Sequence, residues 1–478
     1  MSATEAAEQD FCFVHAADLH LDTPFKGIGE TAPFVGHALR EASLDAFDSL
    51  VDLCCERRAA FLVLAGDIYD GPERGIRAQL RFHKGLARLS DAGILTFVVH
   101  GNHDPVESGW TAIGSWPELV TIFGTDEVEA VPVVRDGVQI AVVQGISYWR
   151  RDVRENLARR FSSRPEAGPG IRVGILHCDV TGQAASGGIG AAASIGAANR
   201  HDGYSPCSLE DLVAAGIDYW ALGHIHGRSV LAGRPFGDEP WVAYPGNLQA
   251  RSPKASERGA KGAIVVNVLG GRVAGTEFVA CDRIRFCSLV ADVTHISSLE
   301  GLRDALVDAG RDELDRANGR SILLRASLTG RGSLHAMLGL GRPGALDELL
   351  ASVRDEFSDE EPWCWWDRVD DATAAAIDVG RLRRGSDFAA DLIAVAEEIA
   401  ERAGPTGMWD APGTCDSPLT IGSELLDELT ATLPKALRRR ASELANLAVL
   451  DSGLTMALDK LGAGEGMTRP RREGVPLP

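Results

Sequence analysis

Short apolar runs recur through the first 285 residues and are separated by amphipathic stretches. The runs are rich in leucine, β-branched and aromatic residues, as buried strands are. They are Phe11–Ala17, Phe61–Ala65, Ile94–Val99, Ile140–Val143, Val173–Leu176, Tyr219–Leu222 and Ala263–Val268. Between the first two, Ala38–Ala60 has apolar residues at helical spacing, and Arg74–Ala92 repeats this pattern before the third. This βαβα order predicts an α/β domain over residues 11–285.

The pattern changes after Arg285, and a second, smaller α/β domain is predicted over residues 286–380. Its expected strands and helices alternate as in the first domain. They are Ser288–Val293, Leu299–Ala309, Ser321–Ser327 and Ala345–Phe357. Residues 386–463 have helical periodicity instead, with leucines that suit either a helical core or a docking surface.

Three segments lack such periodicity. Residues 182–203 consist largely of Gly and Ala and predict a long surface loop. Residues 1–10 and 464–478 are expected to be disordered tails.

Composition indicates a soluble globular protein. Of 478 residues, 45% are hydrophobic and 24% are charged, which is ordinary for a chain of two or three domains. No apolar run reaches the roughly 18 to 20 residues that span a bilayer, and the acidic start differs from a signal peptide. The nine cysteines include no CxxC pair, so reduced thiols are expected. We therefore predict a cytoplasmic protein with no membrane contact.

The net charge of −20 argues against a protein that coats nucleic acid through bulk electrostatics. Residues 1–285 carry 27 basic and 35 acidic side chains, and residues 286–478 carry 21 and 33. A metal site supplies positive charge locally, however, so phosphate chemistry remains open.

Acidic, amide and imidazole side chains follow directly after five of the predicted strands. They form the strings Asp18-x-His20, Gly66-Asp67, Gly101-Asn102-His103-Asp104, His177 and Gly223-His224-x-His226. Ligands bind in the loops beyond the carboxyl ends of strands in α/β sheets, so we expect these strings to meet in space. A single histidine after a strand is usually structural, but five strings with the same placement favour a common site.

Seven of these side chains suit metal ligation. They are Asp18, His20, Asp67, Asn102, His177, His224 and His226. Mixed imidazole and oxygen ligands suit Mn²⁺, Fe²⁺ or Zn²⁺ better than Mg²⁺. The carboxylate of Asp67 has two oxygens and can bridge two ions, which together would clamp a phosphoryl group during in-line displacement. His103 is free for another role, proton transfer to the leaving oxygen.

These strings resemble the signature of the calcineurin-like metallophosphoesterases, with Gly66–Asp70 matching Gly-Asp-x-x-Asp. The resemblance covers residues 11 to about 250. Three longer strings, His15–Asp22, Asp218–His226 and Tyr244–Gln249, are similar to DNA repair exonucleases of the SbcD and YhaO type.

The resemblance implies a four-layer α/β/β/α fold, a small α/β cap domain and a C-terminal helical segment that docks on a coiled-coil, SMC-like ATPase. It also implies two Mn²⁺ ions, with Fe²⁺, Zn²⁺ or Mg²⁺ as alternatives, and His103 as the catalytic acid. By motif match, the first ion is held by Asp18, His20, Asp67 and His226. The second is held by Asp67, Asn102, His177 and His224. Loop 182–203 and the acidic C-terminal half depart from the family pattern.

Several further residues lie beside these strings. Asp22, Asp70 and Asp104 either orient the ligands or cap helices. Four basic residues after the Gly246-Asn247 turn are candidate DNA contacts. They are Arg251, Lys254, Arg258 and Lys261.

A basic run and a tryptophan cluster leave their roles open. The run either contacts a phosphate backbone or is a solvated helix face. It consists of Arg150, Arg151, Arg154, Arg159 and Arg160. Trp363, Trp365 and Trp366 either stack on unpaired bases or form a buried or partner-binding cluster.

The leading hypothesis is a Mn²⁺-dependent DNA exonuclease or endonuclease that acts in DNA repair with an ATPase, with a homodimer left open. A phosphoesterase for small nucleotides or phosphoproteins is the second hypothesis, because a metal site alone does not select a substrate. A scaffold that regulates a coiled-coil ATPase is the third.

Overall fold

The computed structural model describes residues 10–23, 32–71, 75–108, 111–161, 169–181, 204–339 and 344–386, together with residues 390, 391, 393, 394 and 397. The predicted loop 182–203, the tail 464–478, all of the tail 1–10 except Asp10 and nearly all of the helical segment 386–463 lie outside the described residues. None of the helices in the described ranges is both long and apolar enough to cross a membrane.

Within the described part of residues 1–289 there are two long α-helices and one short α-helix. Helix α1, Pro33–Arg57, begins with a proline, which suits the first turn because it lacks the N–H that would stay unpaired there. Helix α2 is Ile76–Asp91. Helix α3, Leu209–Ala214, is capped by reciprocal hydrogen bonds between Ser208 and Asp211. Further helices with described bounds are α4 Leu299–Arg316, α5 Leu334–Gly339, α6 Ala345–Glu356 and α7 Val379–Arg383.

The strands of the described residues form two six-stranded sheets and one three-stranded sheet. In chain order they are β1 Phe11–Ala16, β2 Phe61–Ala65, β3 Leu95–Val99, β4 Val120–Ile122, β5 Glu129–Arg135, β6 Val138–Gly145, β7 Ile171–His177, β8 Tyr219–Gly223, β9 Ser229–Ala232, β10 Trp241–Tyr244, β11 Gly262–Leu269, β12 Arg272–Ala280, β13 Ile284–Asp292, β14 Ser321–Thr329 and β15 Cys364–Asp371.

The first sheet has the order β12-β11-β1-β2-β3-β4, and the second has the order β5-β6-β7-β8-β10-β9. Strands β1 to β4 run parallel, as do β6, β7, β8 and β10. Strand β11 is antiparallel to β1, while β5 and β9 are antiparallel edge strands. The carboxyl ends of the parallel strands in each sheet therefore lie along one edge, where the predicted site residues begin.

The two sheets pack face to face. Phe13, Phe61 and Phe97 of the first sheet share a buried core with Ile175 and Tyr219 of the second. Helices α1 and α2 pack on the outer face of the first sheet, and α3 with its neighbouring loops packs on the outer face of the second. This helix, sheet, sheet, helix arrangement confirms the four-layer α/β fold predicted for this part of the chain.

Strands β13, β14 and β15 form the third sheet, in that order. The described residues divide into two compact units. The first draws on residues 1–289, 307–326 and 350–368, and the second on residues 290–306, 327–349 and 369–478. The domain boundaries expected from sequence stay predictions.

Candidate metal centre

The five predicted strings meet at the carboxyl ends of the parallel strands. Asp18 and His20 follow β1, Asp67 follows β2, and Asn102 follows β3. His177 ends β7 of the second sheet, and His224 and His226 follow β8. Both sheets therefore contribute to one site.

A first ligand group consists of Asp18, His20 and His226, whose ligand atoms all lie within 4.8 Å of one another. His20 is buried and His226 is partly exposed. Their Nε2 atoms are 3.1 Å apart, and the planes of the two imidazoles meet at 63°.

A second ligand group consists of Asp18, Asp67 and His177, with the same 4.8 Å spread. Nε2 of His177 is 2.9 Å from Oδ1 of Asn102, which places the amide beside this group. His224 belongs to none of the groups found in the described residues, but its ring centroid lies 5.3 Å from that of His177.

Asp67 faces both groups. Its Oδ1 accepts a hydrogen bond from the backbone N–H of His103 at 2.9 Å. Its Oδ2 is 3.7 Å from Nε2 of His20 and 3.5 Å from Nε2 of His177. One oxygen is thus anchored to the backbone, while the other lies between two imidazoles, as a bridging ligand would.

The hydrogen bonds leave several lone pairs pointing at each other. His177 Nδ1 lies 2.9 Å from the carbonyl of Ala65, so it donates there and Nε2 must carry a lone pair. That lone pair faces the amide oxygen of Asn102 and the carboxylate of Asp67. Three acceptors facing one another without a donor is unfavourable for protein alone, and a bound cation would resolve it. The donor set therefore fits a divalent metal.

Burial disfavours charge on these groups. It lowers the pKa of His177 to about 4 and that of His224 to about 3. Burial, together with the negative charge of Asp104, raises the pKa of Asp67 to about 7. Neutral imidazoles are the form that binds metal, and a cation would favour the charged carboxylate.

The backbone at these positions is strained. Asp18, His20, Asp67 and His224 have φ values of 52°, 43°, 52° and 100°. Residues other than glycine seldom adopt this left-handed region, at a cost of roughly 1 to 3 kcal/mol each. Such strain concentrates at functional sites, and here it turns each side chain toward the ligand groups.

Two glycines allow the strings to approach closely. A Cβ on Gly101 would collide with Oδ1 of Asp67 and would lie 2.8 Å from Cε1 of His177. A Cβ on Gly223 would collide with the carbonyl oxygen of Ala65. The glycines before Asn102 and His224 are therefore required by space.

His103 belongs to neither of these two groups, but it forms a third group with Asp70 and with His20 of the first, whose ligand atoms all lie within 4.8 Å of one another. Its Nδ1 is 2.9 Å from Oδ1 of Asp70, and this hydrogen bond raises the pKa of His103. Arg251 donates to the other oxygen of Asp70 at 2.5 Å. The side chain of His103 is 29% exposed, so its Nε2 can face an incoming substrate.

The three acidic residues expected beside the ligands behave differently. Asp70 orients His103, as described. Asp104 is fully buried and accepts from the backbone of Gly101 and Ile68, which shapes the loop that carries Asn102. Asp22 shows no hydrogen bond to a predicted ligand in the described ranges.

Sequence reasoning missed Glu257. Its Oε1 is 2.7 Å from Nδ1 of His226, and its Oε2 accepts from Nδ2 of Asn247 at 2.7 Å. Glu257 is 5% exposed and ends the short 3₁₀ turn Ala255–Glu257. It thereby fixes the tautomer of His226 with Nε2 directed at the first group. No periodicity or motif in its own segment marks it.

The four predicted DNA contacts differ in exposure. Lys254 and Arg258 are exposed, and Arg251 forms an ion pair with Asp70. Lys261 is buried, and its ammonium group donates to the carbonyls of His226 and Ser256. Lys261 therefore lies away from the surface, and its charged group supports the loop that carries His226.

The basic run and the tryptophan cluster also separate. Arg154, Arg159 and Arg160 form ion pairs with Asp152, Asp211 and Glu155, respectively. Trp366 is fully buried, while Trp363 and Trp365 are partly buried and pack edge-on against Phe34. The tryptophans are therefore mainly packing residues.

Two family models match this chain. One, described as calcineurin-like phosphoesterase, matches residues 12–228. The other, described as the middle domain of metallophosphoesterase YhaO, matches residues 286–374.

Individual relatives agree with these matches. The uncharacterized metallophosphoesterase YhaO of Bacillus subtilis is 34% identical over 364 residues, which cover 76% of this chain and 82% of that protein. The DNA double-strand break repair protein Mre11 of Thermoplasma acidophilum is 24% identical over 241 residues, 48% of this chain and 57% of that protein. Mre11 of Aeropyrum pernix is 25% identical over 251 residues, 49% of this chain and 53% of that protein.

Proposed function

Since this chain belongs to the calcineurin-like metallophosphoesterases, which are hydrolases of phosphoester bonds, we propose that it cleaves the phosphodiester bonds of DNA. The observation that carries the proposal is the position of Asp67 between two ligand groups, with His103 held by Asp70 beside His20 of the first group. Such a site can activate water on one side of a phosphate and protonate the leaving oxygen on the other.

The metal ions are proposed to be Mn²⁺, held as the sequence predicts. Asp18, His20, Asp67 and His226 would hold one ion, and Asp67, Asn102, His177 and His224 the other. When bound, two such ions neutralise phosphate charge and make water a stronger nucleophile. The choice of Mn²⁺ is supported by the mixture of imidazole, amide and carboxylate donors.

The residues of the chain have distinct parts in the reaction. Asp18 and Asp67 are each anchored by one backbone N–H, from His224 and His103, so their oxygens stay in place as substrate arrives. Asp70 holds Nδ1 of His103, which directs Nε2 toward the leaving oxygen. His103 then gives its proton to that oxygen, and Asp70 stabilises its protonated form before the transfer.

DNA is proposed as the substrate because the Mre11 relatives are named as double-strand break repair proteins. The exposed Lys254 and Arg258 lie on the segment that also carries Glu257, close to the first ligand group. They supply positive charge locally in a chain whose net charge is −20.

An ATPase partner and a cytoplasmic location complete the proposal. The partner is supported by the family resemblance of the sequence, which implies a coiled-coil ATPase docked on the segment 386–463. A role in DNA repair follows from the same resemblance.

The test is hydrolysis by the purified full chain with Mn²⁺, of labelled linear DNA and of bis-p-nitrophenyl phosphate. We expect both to be cleaved and His103→Ala to slow both. His37, an exposed histidine of α1, provides the matched control, because His37→Ala should leave both rates unchanged.

Each other outcome has a definite meaning. Cleavage of the small ester alone would favour a phosphoesterase for small nucleotides or phosphoproteins. Cleavage of neither would favour a scaffold. DNA cleavage that survives His103→Ala would point to a contaminating nuclease.

A further inference from the structure

Trp149 is an exposed aromatic residue tied to the loop that carries Asn102 and His103. Trp149 follows β6 and is 48% exposed. The backbone N–H of Glu107 donates to the carbonyl of Trp149 at 2.8 Å, and that of Val106 donates to the carbonyl of Tyr148 at 3.0 Å. Tyr148 and Trp149 therefore pair with residues that lie three and four positions after His103, the proposed catalytic acid.

A second contact fixes this segment to the metal centre. The N–H of Tyr148 donates to the carbonyl of His100 at 3.0 Å, and the buried Tyr148 ring lies edge-on to His177 at 5.5 Å. Tyr148 packs inward against a predicted ligand, and its neighbour Trp149 reaches the surface. The exposed Trp149 therefore directly follows a residue that contacts the metal centre.

Two arginines beside Trp149 carry charge that the described residues do not neutralise. The guanidinium of Arg150 lies 5.2 Å from the centroid of the Trp149 ring, within the range of a cation–π contact. Arg150 and Arg151 are exposed, and neither forms an ion pair in the described ranges. The next three arginines of the same run are all paired with acidic residues. Within this run, the charge left available therefore belongs to the two arginines that follow Trp149 directly.

We propose that Trp149, Arg150 and Arg151 form a subsite for the unpaired end of a DNA strand. A base would stack on the indole face that Arg150 leaves open, and the guanidinium groups would bind the adjoining phosphates. The subsite rests on the proposed nuclease function and adds the strand form that the site prefers.

An unpaired strand fits this subsite better than a duplex does. An unpaired base exposes the face on which an indole can stack, whereas the bases inside a duplex already stack on each other. A duplex would instead require a broad basic surface, and a chain with net charge −20 has few basic residues in excess to form one. One aromatic ring with two guanidinium groups matches a short single-stranded segment.

The test measures binding by fluorescence anisotropy, with full-length protein, Mn²⁺ and the His103→Ala background so that bound DNA persists. The probes are a fluorescein-labelled 15-nucleotide single strand and a blunt hairpin duplex. We expect Trp149→Ala to weaken single-strand affinity about tenfold and Trp149→Phe to weaken it less than about threefold. Duplex affinity should change less than about twofold with either variant.

The matched control for the ring is Phe236→Ala, since Phe236 is 50% exposed and lies on another loop. For the charges, Arg150→Ala should lower the salt dependence of single-strand binding by about 0.7 in log–log slope. Arg159→Ala removes the same charge from an arginine already paired with Asp211, and it should leave the slope unchanged.

The subsite is wrong if Trp149→Ala binds the single strand as tightly as its parent, or weakens single strand and duplex equally. It is also wrong if that change alters only self-association in sedimentation, which would make Trp149 an interface residue. The parent protein reports on the proposed function separately. If the parent binds neither DNA and hydrolyses only bis-p-nitrophenyl phosphate, the nuclease proposal itself has failed.

Discussion

The two large sheets contribute different chemistry to the metal centre. The loops of the first sheet supply two carboxylates, an amide and an imidazole, whereas the second supplies three imidazoles. The carboxylate of Asp18, on the first sheet, is held by the backbone N–H of His224 on the second. The imidazole of His177, on the second, is held by the carbonyl of Ala65 on the first.

These two contacts show that each sheet orients one ligand of the other. Carboxylates accept hydrogen bonds, so they are fixed by N–H groups, whereas a ligating imidazole must donate from its second nitrogen and is fixed by an acceptor. Sheets that face each other at their carboxyl ends provide both kinds of group. Changes that remove the shared ligand, the proton donor or the anchors should separate these contributions.

The largest effect is expected from Asp67→Ala, which removes the carboxylate that faces imidazoles of both sheets. Metal assistance contributes several kcal/mol to such reactions, so hydrolysis should fall by at least about a thousandfold. Elemental analysis should find fewer than two bound ions. Asp238→Ala, at a carboxylate 92% exposed, is the control. Full activity in Asp67→Ala would remove Asp67 from the site.

His103→Ala should come next, because it removes a first-sheet side chain that we place outside both ligand groups. Loss of a positioned proton donor costs about 10² to 10⁴ in rate. Metal content should stay at the parent value, as measured on the same sample. If metal is lost together with activity, His103 is a ligand and its separation from the two groups is wrong.

Glu257→Ala should weaken metal binding by about 10- to 100-fold, since it removes the acceptor that orients His226 on the second sheet. Titration calorimetry with Mn²⁺ would measure this. Glu257→Gln retains an acceptor oxygen and should lose less. Equal affinity in all three proteins would show that His226 needs no such anchor.

A smaller effect on stability is expected from Tyr219→Phe. The hydroxyl of Tyr219 on β8 lies 3.0 Å from Nδ1 of His15 on β1, a buried contact between the two sheets. Its loss should lower the free energy of unfolding by about 1 to 3 kcal/mol. Urea denaturation would measure the change, and an unaltered midpoint would show that this contact contributes nothing.

His15 also predicts an effect of pH on stability. Burial lowers its pKa from 6.5 to about 3, so it is neutral in the fold but becomes protonated in the unfolded chain below pH 6.5. The stabilising contribution is complete above that pH and is lost as pH falls toward 3, by up to about 1.4 kcal/mol per unit. Urea midpoints of wild type and His15→Leu from pH 7 to 4.5 should converge. Parallel curves would contradict this.

The parallel core of the fold could be predicted from sequence, but its edges could not. The run Phe61–Ala65 matches β2, and Val173–Leu176 matches the centre of the seven-residue β7, because strands buried on both faces are continuously apolar. Strand β5 was not predicted, since most of its side chains are exposed and it contains Pro132. Such strands depend on a partner distant in the chain, which no local pattern reveals.

The site residues divide in the same way, into those that a local pattern predicts and those that depend on a partner distant in the chain. Asp18 and His20 could be recognised because two residues at alternate spacing follow an apolar run, and the structure brings both to the first ligand group. Glu257 could not, because it meets His226 across 31 residues of chain and its own segment has no apolar period. The sequence did not mark Trp149 either, because an exposed aromatic residue belongs to no apolar period and its contact with Arg150 is visible only in the structure.

The contact between Asp18 and His224 joins residues 206 positions apart, and Glu257 comes still later. Ribosomes make a chain from its amino terminus, so Asp18 and Asp67 leave the exit tunnel long before the groups that hold the site together. A growing chain therefore carries carboxylates but no assembled catalyst. Phosphoester hydrolysis can begin only after His226, the last of the predicted ligands, has been made.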